Sequence, residues 1–205
     1  MDWKNIIGSA LKNELPGVIS HRKMLPQGRD LSFGQEGQIK KSSVLLLIIE
    51  KNRHIYICLI KRPAHMKYHP GQIAFPGGTV EASDASVIDT ALRESREELG
   101  INTQSLSVLG FLTPLYVSVS KFLIYPVVAW SDRHFHFSVN RNEVERLIFF
   151  PLLPHIRSFK IDFENVITAD GPLKVPCIRF ENEIIWGATG MILAELFDAL
   201  KTGSQ

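Results

Sequence analysis

Two spacings of apolar residues run through the chain, and each predicts a different backbone structure. Apolar runs of strand length, some of them alternating with polar residues, indicate β-strands. They lie at 44–49, 55–60, 72–75, 106–112, 122–130, 159–163 and 174–180. Apolar residues at helical spacing indicate amphipathic helices with one packed face. These segments are 2–15, 87–99 and 189–200. The pattern therefore predicts strands in the body of the chain and helices at its start, middle and end.

The segment before the first strand is predicted to hold one helix and a loop. Asp2 is placed to cap the helix, and Pro16-Gly17 ends it. Glycines and a proline within 21–38 indicate a loop. The polar face of the helix is not rich in lysine or arginine. We therefore expect it to pack on the body of the protein or on a second subunit, in a possible homodimer, rather than on a membrane.

The end of the chain is predicted to form a hairpin and a helix. Asp170-Gly171 lies between two strand-like segments and favours a tight β-turn. Trp186 comes shortly before the last helix, and we expect it in the core. Thr189 is expected to be the N-cap of that helix, because a threonine oxygen can accept a hydrogen bond from the first turn.

Length and composition fit a single domain, 1–205, with the helix at 2–15 as an appendage. The chain has 205 residues, of which 45% are hydrophobic and 21% charged, enough for a substantial core. The net charge is +2 and the basic residues are scattered, so we expect no nucleic-acid partner. Cys58 and Cys177 lie among apolar neighbours and are expected to be buried thiols of a cytoplasmic protein. The longest apolar run, Val44 to Ile49, is too short to span a membrane.

The central helix carries the most distinctive chemistry of the chain. Glu94, Glu97 and Glu98 stand at i, i+3 and i+4, so their carboxylates project from one helical face. Ser86 is a suitable N-cap, and Gly100 ends the helix. Like charges at this spacing repel one another, and a hard divalent cation, Mg²⁺ or Mn²⁺, would relieve the repulsion. A solvated acidic helix face is the alternative interpretation.

A glycine pair precedes this helix and completes a known pattern. Gly77 and Gly78 let the backbone take positive φ and approach a ligand or metal closely. The Nudix box reads Gly-x5-Glu-x7-Arg-Glu-apolar-x-Glu-Glu-x-Gly-apolar. The positions that match its second half are Arg93, Glu94, Glu97, Glu98, Gly100 and Ile101. On these residues the chain resembles the Nudix hydrolase family.

The stretch before the box adds a narrower resemblance. Arg62, Lys67 and Gly71, followed by Phe-Pro-Gly-Gly at 75–78, are similar to an additional signature of the coenzyme A pyrophosphatase branch. Lys67 stands where that branch usually has arginine, and Pro63 where it has serine or alanine.

Two positions inside the box depart from the family pattern. Asp84 replaces the first glutamate, and eight residues rather than seven separate it from Arg93. Ser95 fills a position that is usually apolar. We expect Asp84 to order the loop or cap the helix rather than to bind metal.

The resemblance implies a fold, a reaction and a set of site residues. The fold is an α/β/α sandwich with a mixed sheet. The reaction is metal-dependent hydrolysis of a phosphoanhydride in a nucleoside diphosphate derivative. The implied metal ligands are Glu94, Glu97, Glu98 and the Gly77 carbonyl. Arg93 is expected to orient these carboxylates by ion pairing.

Three residues remain candidates for the general base that activates water. They are Glu94, Glu97 and Glu143, and the sequence does not choose among them. Glu143 lies in an Asn-x-x-Glu-Val segment that resembles the coenzyme A branch. A surface glutamate at a helix start is the alternative interpretation of Glu143.

The narrower resemblance implies a substrate. Coenzyme A or an acyl derivative would be split to 3′,5′-ADP and (acyl-)4′-phosphopantetheine, with Arg62, Lys67 and Gly78 binding the substrate. One alternative is a Nudix hydrolase of ADP-ribose or an oxidised nucleotide. Another is a module that senses a nucleotide without cleaving it. Such modules usually have a degraded box, whereas Arg93 and the three glutamates are intact here.

Overall fold

The computed structural model describes residues 2–32, 39–132, 136–168 and 171–202, which form five α-helices and eleven strands. The helices are α1 (Trp3–Ala10), α2 (Val18–Arg22), α3 (Val87–Leu99), α4 (Leu152–Arg157) and α5 (Gly187–Thr202). The strands are β1 (Lys40–Lys51), β2 (His54–Lys61), β3 (Ile73–Ala74), β4 (Gly77–Thr79), β5 (Leu106–Phe111), β6 (Leu115–Val117), β7 (Phe122–Ser131), β8 (Arg146–Pro151), β9 (Asp162–Thr168), β10 (Gly171–Phe180) and β11 (Glu183–Trp186).

The main sheet has eight strands and is mixed. Its central order is β3-β2-β1-β7-β5, and β4, β6 and β8 pair with β1, β7 and β2. The long pair β1–β7 is parallel, whereas the other pairs of this sheet are antiparallel. The mixed sheet expected from the resemblance is therefore confirmed.

Both faces of this sheet are covered, which explains the unbroken apolar run at 44–49. Leu46 and Ile48 of β1 belong to a cluster that also holds buried residues of α1, α4 and α5. Leu45 and Leu47 point to the opposite face and share a cluster with Ala91 of α3. A strand that is buried on both sides needs apolar residues at every position. The result is an α/β/α sandwich, as expected.

A second, three-stranded sheet in the order β11-β10-β9 leads into α5. Its β9 and β10 pair antiparallel, so the hairpin expected near 170 is present, although Asp170 lies outside the described residues. Cys58 and Cys177 are buried free thiols, as predicted. No helix within the described ranges is long and apolar enough to cross a membrane.

The start of the chain differs from its prediction. Asp2 caps α1 as expected, through its side chain and the Asn5 N–H, but the helix ends at Ala10 rather than near residue 15. A second helix, α2, begins at Val18 and ends at Arg22, inside the predicted loop 21–38, of which 33–38 fall outside the described residues. Gly17, with φ of 50°, turns the backbone into α2. So short a helix gives little periodic signal.

The second half of the chain also differs from its prediction. Thr189 is not an N-cap, because α5 begins at Gly187, and the buried Thr189 hydroxyl instead donates to the Ile73 carbonyl at 3.0 Å. Trp186 is half-buried rather than in the core. The apolar run at 148–153 divides between β8 and α4 at Pro151, and β9 begins at Asp162 rather than at 159.

Candidate active site

The approach of β4 to β1 requires glycine at position 77. Gly77 pairs with Val44 and has φ of 153°. A Cβ atom at this position would lie 2.3 Å from the Ser43 carbonyl oxygen and 2.6 Å from the Val44 Cα. The Gly77 N–H donates to Glu98 Oε2 at 3.0 Å. The glycine therefore joins β1, β4 and the end of α3 at one point.

Gly78 makes room for a second carboxylate. A Cβ atom on Gly78 would lie 2.2 Å from Oε1 and 2.7 Å from Oε2 of Glu94. Any side chain at position 78 would push the Glu94 carboxylate out of its place. In the structure Gly78 therefore lies against Glu94. The role of Gly78 in substrate binding stays a prediction.

Arg93 gathers the acidic residues of α3 and the preceding loop. Its Nε and Nη2 donate to Oδ1 and Oδ2 of Asp84 at 2.9 and 3.0 Å, a bidentate pair. Its Nη1 donates to Glu94 Oε1 at 3.0 Å and to Glu97 Oε2 at 3.2 Å. The guanidinium is also bound to the Thr79 carbonyl at 3.1 Å. Arg93 thus holds its acidic neighbours in fixed orientations, as expected of an orienting residue.

Asp84 is a central partner in this arrangement, and its contacts lie within the protein. Besides the Arg93 pair, it accepts from the Glu81 N–H and the Thr90 hydroxyl, both at 2.9 Å. The hydrogen bonds from Arg93 and Glu81 hold the pKa of Asp84 well below its usual range. These contacts order the loop before α3. In the sequence, the Asp84–Arg93 contact was indicated by the acidic residue at the first acidic position of the box and by the arginine that follows it.

The three glutamates of α3 differ in exposure. The Glu98 side chain is 2% exposed, that of Glu94 15% and that of Glu97 53%. The expectation that α3 displays all three charges away from its packed face is therefore wrong for Glu98. Glu98 is buried because α3 turns this position toward β4, where the Gly77 N–H binds it.

Burial makes the charged form of Glu98 costly. Burial raises the pKa of Glu98 to about 8, although the Gly77 hydrogen bond and the positive charge of Arg62 both act to lower it. The negative charges of Glu94 and Glu143 act in the same direction as burial. Burial likewise raises the pKa of Glu94, although Arg93 opposes the shift. Negative charge is thus concentrated and poorly solvated at this point.

Glu143 lies near the same carboxylates because the segment that precedes it is hydrogen-bonded to the end of α3. The Ser138 and Asn140 N–H groups donate to the Leu99 and Glu98 carbonyls, each at 2.9 Å. Gly100 permits this contact, because a Cβ at position 100 would lie 2.5 Å from the Ser138 carbonyl oxygen. The segment from 138 to 144 is therefore fixed to the end of α3. Glu143, half-buried, acts electrostatically on both Glu94 and Glu98.

The two basic residues expected to bind substrate differ in position. The charge of Arg62 acts directly on Glu98, and its buried Nε has no hydrogen-bond partner among the described residues. Lys67 is exposed, and its Nζ lies 5.4 Å from the ring centroid of Tyr68. The structure thus brings Arg62 to the carboxylates but gives Lys67 no described contact with them.

The donor set fits a hard divalent cation in chemistry and charge. It consists of carboxylate oxygens and the Gly77 backbone, which suit Mg²⁺ or Mn²⁺. Within the described ranges, however, no three Asp, Glu, His or Cys side chains are arranged to hold an ion as they stand. Glu94 and Glu97 are turned toward Arg93, and Glu98 toward Gly77. Ion binding would therefore require rotation of these side chains.

Comparison with known proteins gives one consistent result. The NUDIX domain model matches residues 39–155. The relative "Uncharacterized Nudix hydrolase NudL" of Citrobacter koseri is 34% identical over 164 residues, covering 80% of this chain and 83% of the relative. The protein of the same name from Enterobacter sp. (strain 638) is 32% identical over 166 residues, covering 81% of this chain and 85% of the relative.

Solved structures agree with this result at the level of the fold. The MutT protein from Methanosarcina mazei Go1 has a TM-score of 0.50 at 17% identity, covering 78% of this chain and 92% of that one. A MutT/nudix family protein from Enterococcus faecalis has a TM-score of 0.50 at 14% identity, covering 82% of this chain and 64% of that one. From the match to the family model and the identity to these relatives, the chain belongs to the Nudix hydrolase family and is a pyrophosphohydrolase of nucleoside diphosphate derivatives.

Proposed function

We propose that the protein hydrolyses the diphosphate bond of coenzyme A or acyl-coenzyme A, giving 3′,5′-ADP and (acyl-)4′-phosphopantetheine. One observation carries this proposal. Arg62, the first residue of the stretch that resembles the coenzyme A pyrophosphatase branch, acts electrostatically on the buried Glu98, and its Nε has no hydrogen-bond partner among the described residues. A substrate phosphate would satisfy this donor and bring the diphosphate to the acidic cluster.

Mg²⁺ or Mn²⁺ would be held by the carboxylates of Glu94, Glu97 and Glu98 and by the Gly77 carbonyl. When bound, the cation supplies charge neutralisation for the diphosphate and lowers the pKa of the attacking water. Arg93 orients the carboxylates by the contacts described above. Arg62 and Gly78 border the substrate on the side of the glycine pair.

Glu143 is the candidate for the general base that the contacts favour. Glu94 and Glu97 both accept hydrogen bonds from Arg93, so part of the hydrogen-bonding capacity of each carboxylate is already in use. No salt bridge with a described residue involves Glu143, and it lies near both Glu94 and Glu98. Glu143→Gln should therefore lower kcat while leaving Mn²⁺ binding nearly unchanged. Loss of Mn²⁺ binding would make Glu143 a ligand instead.

Product chromatography tests the substrate. The protein would be incubated with Mg²⁺ or Mn²⁺ and, separately, with coenzyme A, ADP-ribose and nucleoside triphosphates. Release of 3′,5′-ADP from coenzyme A at the highest kcat/KM supports the proposal. A clear preference for ADP-ribose or a triphosphate would overturn the substrate but keep the hydrolase. Tight nucleotide binding without any product would indicate a sensing module.

A further inference from the structure

A buried hydrogen bond joins the last helix to the strand that leads into the glycine pair. The hydroxyl of Thr189, in the first turn of α5, donates to the carbonyl of Ile73 at 3.0 Å. Ile73 begins β3, which has only two residues and pairs with the end of β2. So short a strand has few hydrogen bonds of its own to fix its position. The Thr189 contact therefore adds a buried hydrogen bond to the apolar packing of Ile73, which is 4% exposed.

A second contact joins the same region of the chain to the ends of two other strands. Glu183, at the start of β11, has a side chain that is 16% exposed. Its Oε1 accepts from Lys61 Nζ at 2.8 Å and from Arg146 Nη2 at 2.9 Å. Lys61 is the last residue of β2 and Arg146 the first of β8, and the two are paired in the sheet.

The three strand ends held in this way continue directly into the site. Ile73 lies four residues before Gly77, whose N–H binds Glu98. Lys61 is followed by Arg62. Arg146 comes three residues after Glu143, and the neighbouring Glu145 N–H donates to the Lys61 carbonyl at 2.8 Å. Movement of any of these strand ends would displace a group that acts on the buried carboxylates.

We propose that Glu183 and Thr189 are positioning residues, which set the places of Gly77, Arg62 and Glu143 from outside the 39–155 region that the family model matches. The inference rests on the proposed metal-binding role of Gly77 and Glu98. Neither residue touches the substrate; each acts through the backbone of a strand end. We call the segment 183–189, from the start of β11 to the first turn of α5, the brace, because it holds these strand ends in place.

Substitution of Thr189 tests the first half of the brace. Thr189→Val keeps the shape but removes the donor, whereas Thr189→Ser keeps the donor. Hydrogen–deuterium exchange of the full chain without metal should accelerate at 73–77 in Thr189→Val and stay near wild type in Thr189→Ser. The dissociation constant for Mn²⁺ alone, measured by electron paramagnetic resonance, should rise about fivefold in Thr189→Val only.

Thr168→Val is the matched control for this measurement. Thr168 Oγ1 also donates to a carbonyl, that of Gly171 at 2.8 Å, but in the β9–β10 hairpin. This variant should lose stability without faster exchange at 73–77 and without weaker Mn²⁺ binding. If Thr189→Val melts lower but retains wild-type exchange at 73–77 and wild-type Mn²⁺ affinity, the contact is only structural and the inference is wrong.

Substitution of Glu183 tests the second half. Glu183→Gln removes the charge that Lys61 and Arg146 share, and should lower kcat/KM about tenfold, mainly through KM, because Arg62 is displaced. Glu164→Gln is the control. It removes a β9 carboxylate that pairs with Arg179 of β10, and it should leave kcat/KM unchanged. Equal kcat/KM values in wild type and Glu183→Gln would overturn this half. If Thr189→Val does not fold, Glu183→Gln still decides the inference, because an unchanged KM in that variant would overturn it.

Failure of this inference and failure of the proposed function give different results. Wild-type protein that binds no Mn²⁺ would overturn the metal site, yet exchange at 73–77 would still report on the brace. Wild-type protein that binds Mn²⁺ and cleaves coenzyme A, with unaltered Thr189→Val and Glu183→Gln variants, would overturn the brace alone.

Discussion

Three glutamates on one helix face have different electrostatic environments, although the sequence presents them as equivalent. Glu97 is largely exposed and Glu94 is mostly covered, whereas Glu98 is buried against the Gly77 N–H. The free-energy cost of a negative charge rises with burial, so it falls mainly on Glu98. In the metal-free protein this cost should be visible as a pH dependence of stability.

Glu98→Gln is expected to stabilise the metal-free protein at high pH and not at low pH. Burial raises the folded-state pKa of Glu98 from 4.5 to about 8. Below pH 4.5 the residue is protonated in both states, so it costs nothing. Between pH 4.5 and 8 the unfolded state releases the proton first, and the folded state loses stability as pH rises. Glutamine is neutral throughout, and its gain at pH 8 should be on the order of 1–3 kcal/mol.

Urea denaturation in EDTA at pH 4.5 and pH 8 measures this difference, and Glu97→Gln is the control. Because Glu97 is 53% exposed, its substitution should change stability little at either pH. Both variants should lose turnover by orders of magnitude if these residues hold the cation. A Glu98→Gln gain that is equal at the two pH values would show that the charge on Glu98 is not the cause.

Lys67→Ala is expected to weaken kcat/KM for coenzyme A about tenfold, the scale of one charge-assisted hydrogen bond. Lys67 is exposed in the loop between β2 and β3, whose ends lie at Arg62 and Gln72 and are joined by a 3.0 Å backbone hydrogen bond. The expected loss rests on Lys67 turning from this loop toward a phosphate of the bound substrate. Steady-state kinetics on coenzyme A and on ADP-ribose, which lacks the 3′-phosphate, measure the effect.

The comparison of the two substrates locates the phosphate that Lys67 binds. A larger loss on coenzyme A places Lys67 at the 3′-phosphate, and equal losses place it at the shared diphosphate. Unchanged kinetics on both would make Lys67 a surface charge and remove one support from the coenzyme A assignment.

At the scale of the element, α3 is an N-capped helix with one flaw on its packed face. Ser86 accepts from the Asp89 N–H, and Gly100 ends the helix in the left-handed region, with φ of 65°. Ser95, at a position that is usually apolar in the family, is fully buried. Its hydroxyl has no hydrogen-bond partner among the described residues. A buried hydroxyl without a partner destabilises the folded state.

Ser95→Ala should therefore raise the free energy of unfolding by about 1 kcal/mol, from removal of the unpaired group and from better helix propensity. Ser9→Ala is the control, since Ser9 is exposed on α1 and its substitution changes only the propensity, by a few tenths of a kcal/mol. Chemical denaturation measures both. If Ser95→Ala is no more stabilising than Ser9→Ala, the hydroxyl has a partner or a role that these contacts do not include.

The elements that the sequence predicted well are those whose signals are local. The long apolar run predicts β1, and the N-cap with apolar residues at helical spacing predicts α3. Each of these signals lies within one short stretch of sequence. Short elements such as α2 and β6 were missed, because contacts with distant parts of the chain hold them in place. The burial of Glu98 was missed for the same reason, since it depends on Gly77, which lies 21 residues earlier.

At the scale of the whole molecule, the first helices of the chain pack against its last helix, α5. His21 Nε2 of α2 and Glu195 Oε2 of α5 share a hydrogen bond of 2.8 Å between side chains that are 1% and 0% exposed. Glu195 Oε1 also accepts from the Thr113 N–H at 3.1 Å. Beside this pair, Lys23 binds Asp198 at 2.6 Å, but the Lys23 side chain is 42% exposed. The α2 region is therefore joined to α5 by the buried His21–Glu195 contact, by a hydrogen bond from Ser20 to Asp198 and by the exposed Lys23–Asp198 pair.

These two contacts should differ in their effect on stability. His21→Ala leaves Oε2 of Glu195 buried without its hydrogen-bond partner and should cost about 3 kcal/mol, whereas Lys23→Ala should cost less than about 1 kcal/mol because water replaces the exposed partner. Urea denaturation monitored by tryptophan fluorescence measures both variants, and proteolysis of residues 2–32 shows whether the first helices detach. Equal, small losses in the two variants would show that apolar packing and the Ser20–Asp198 hydrogen bond are enough to hold α1 and α2. A large loss in His21→Ala with intact turnover at low temperature would show that this contact stabilises the fold without shaping the active site.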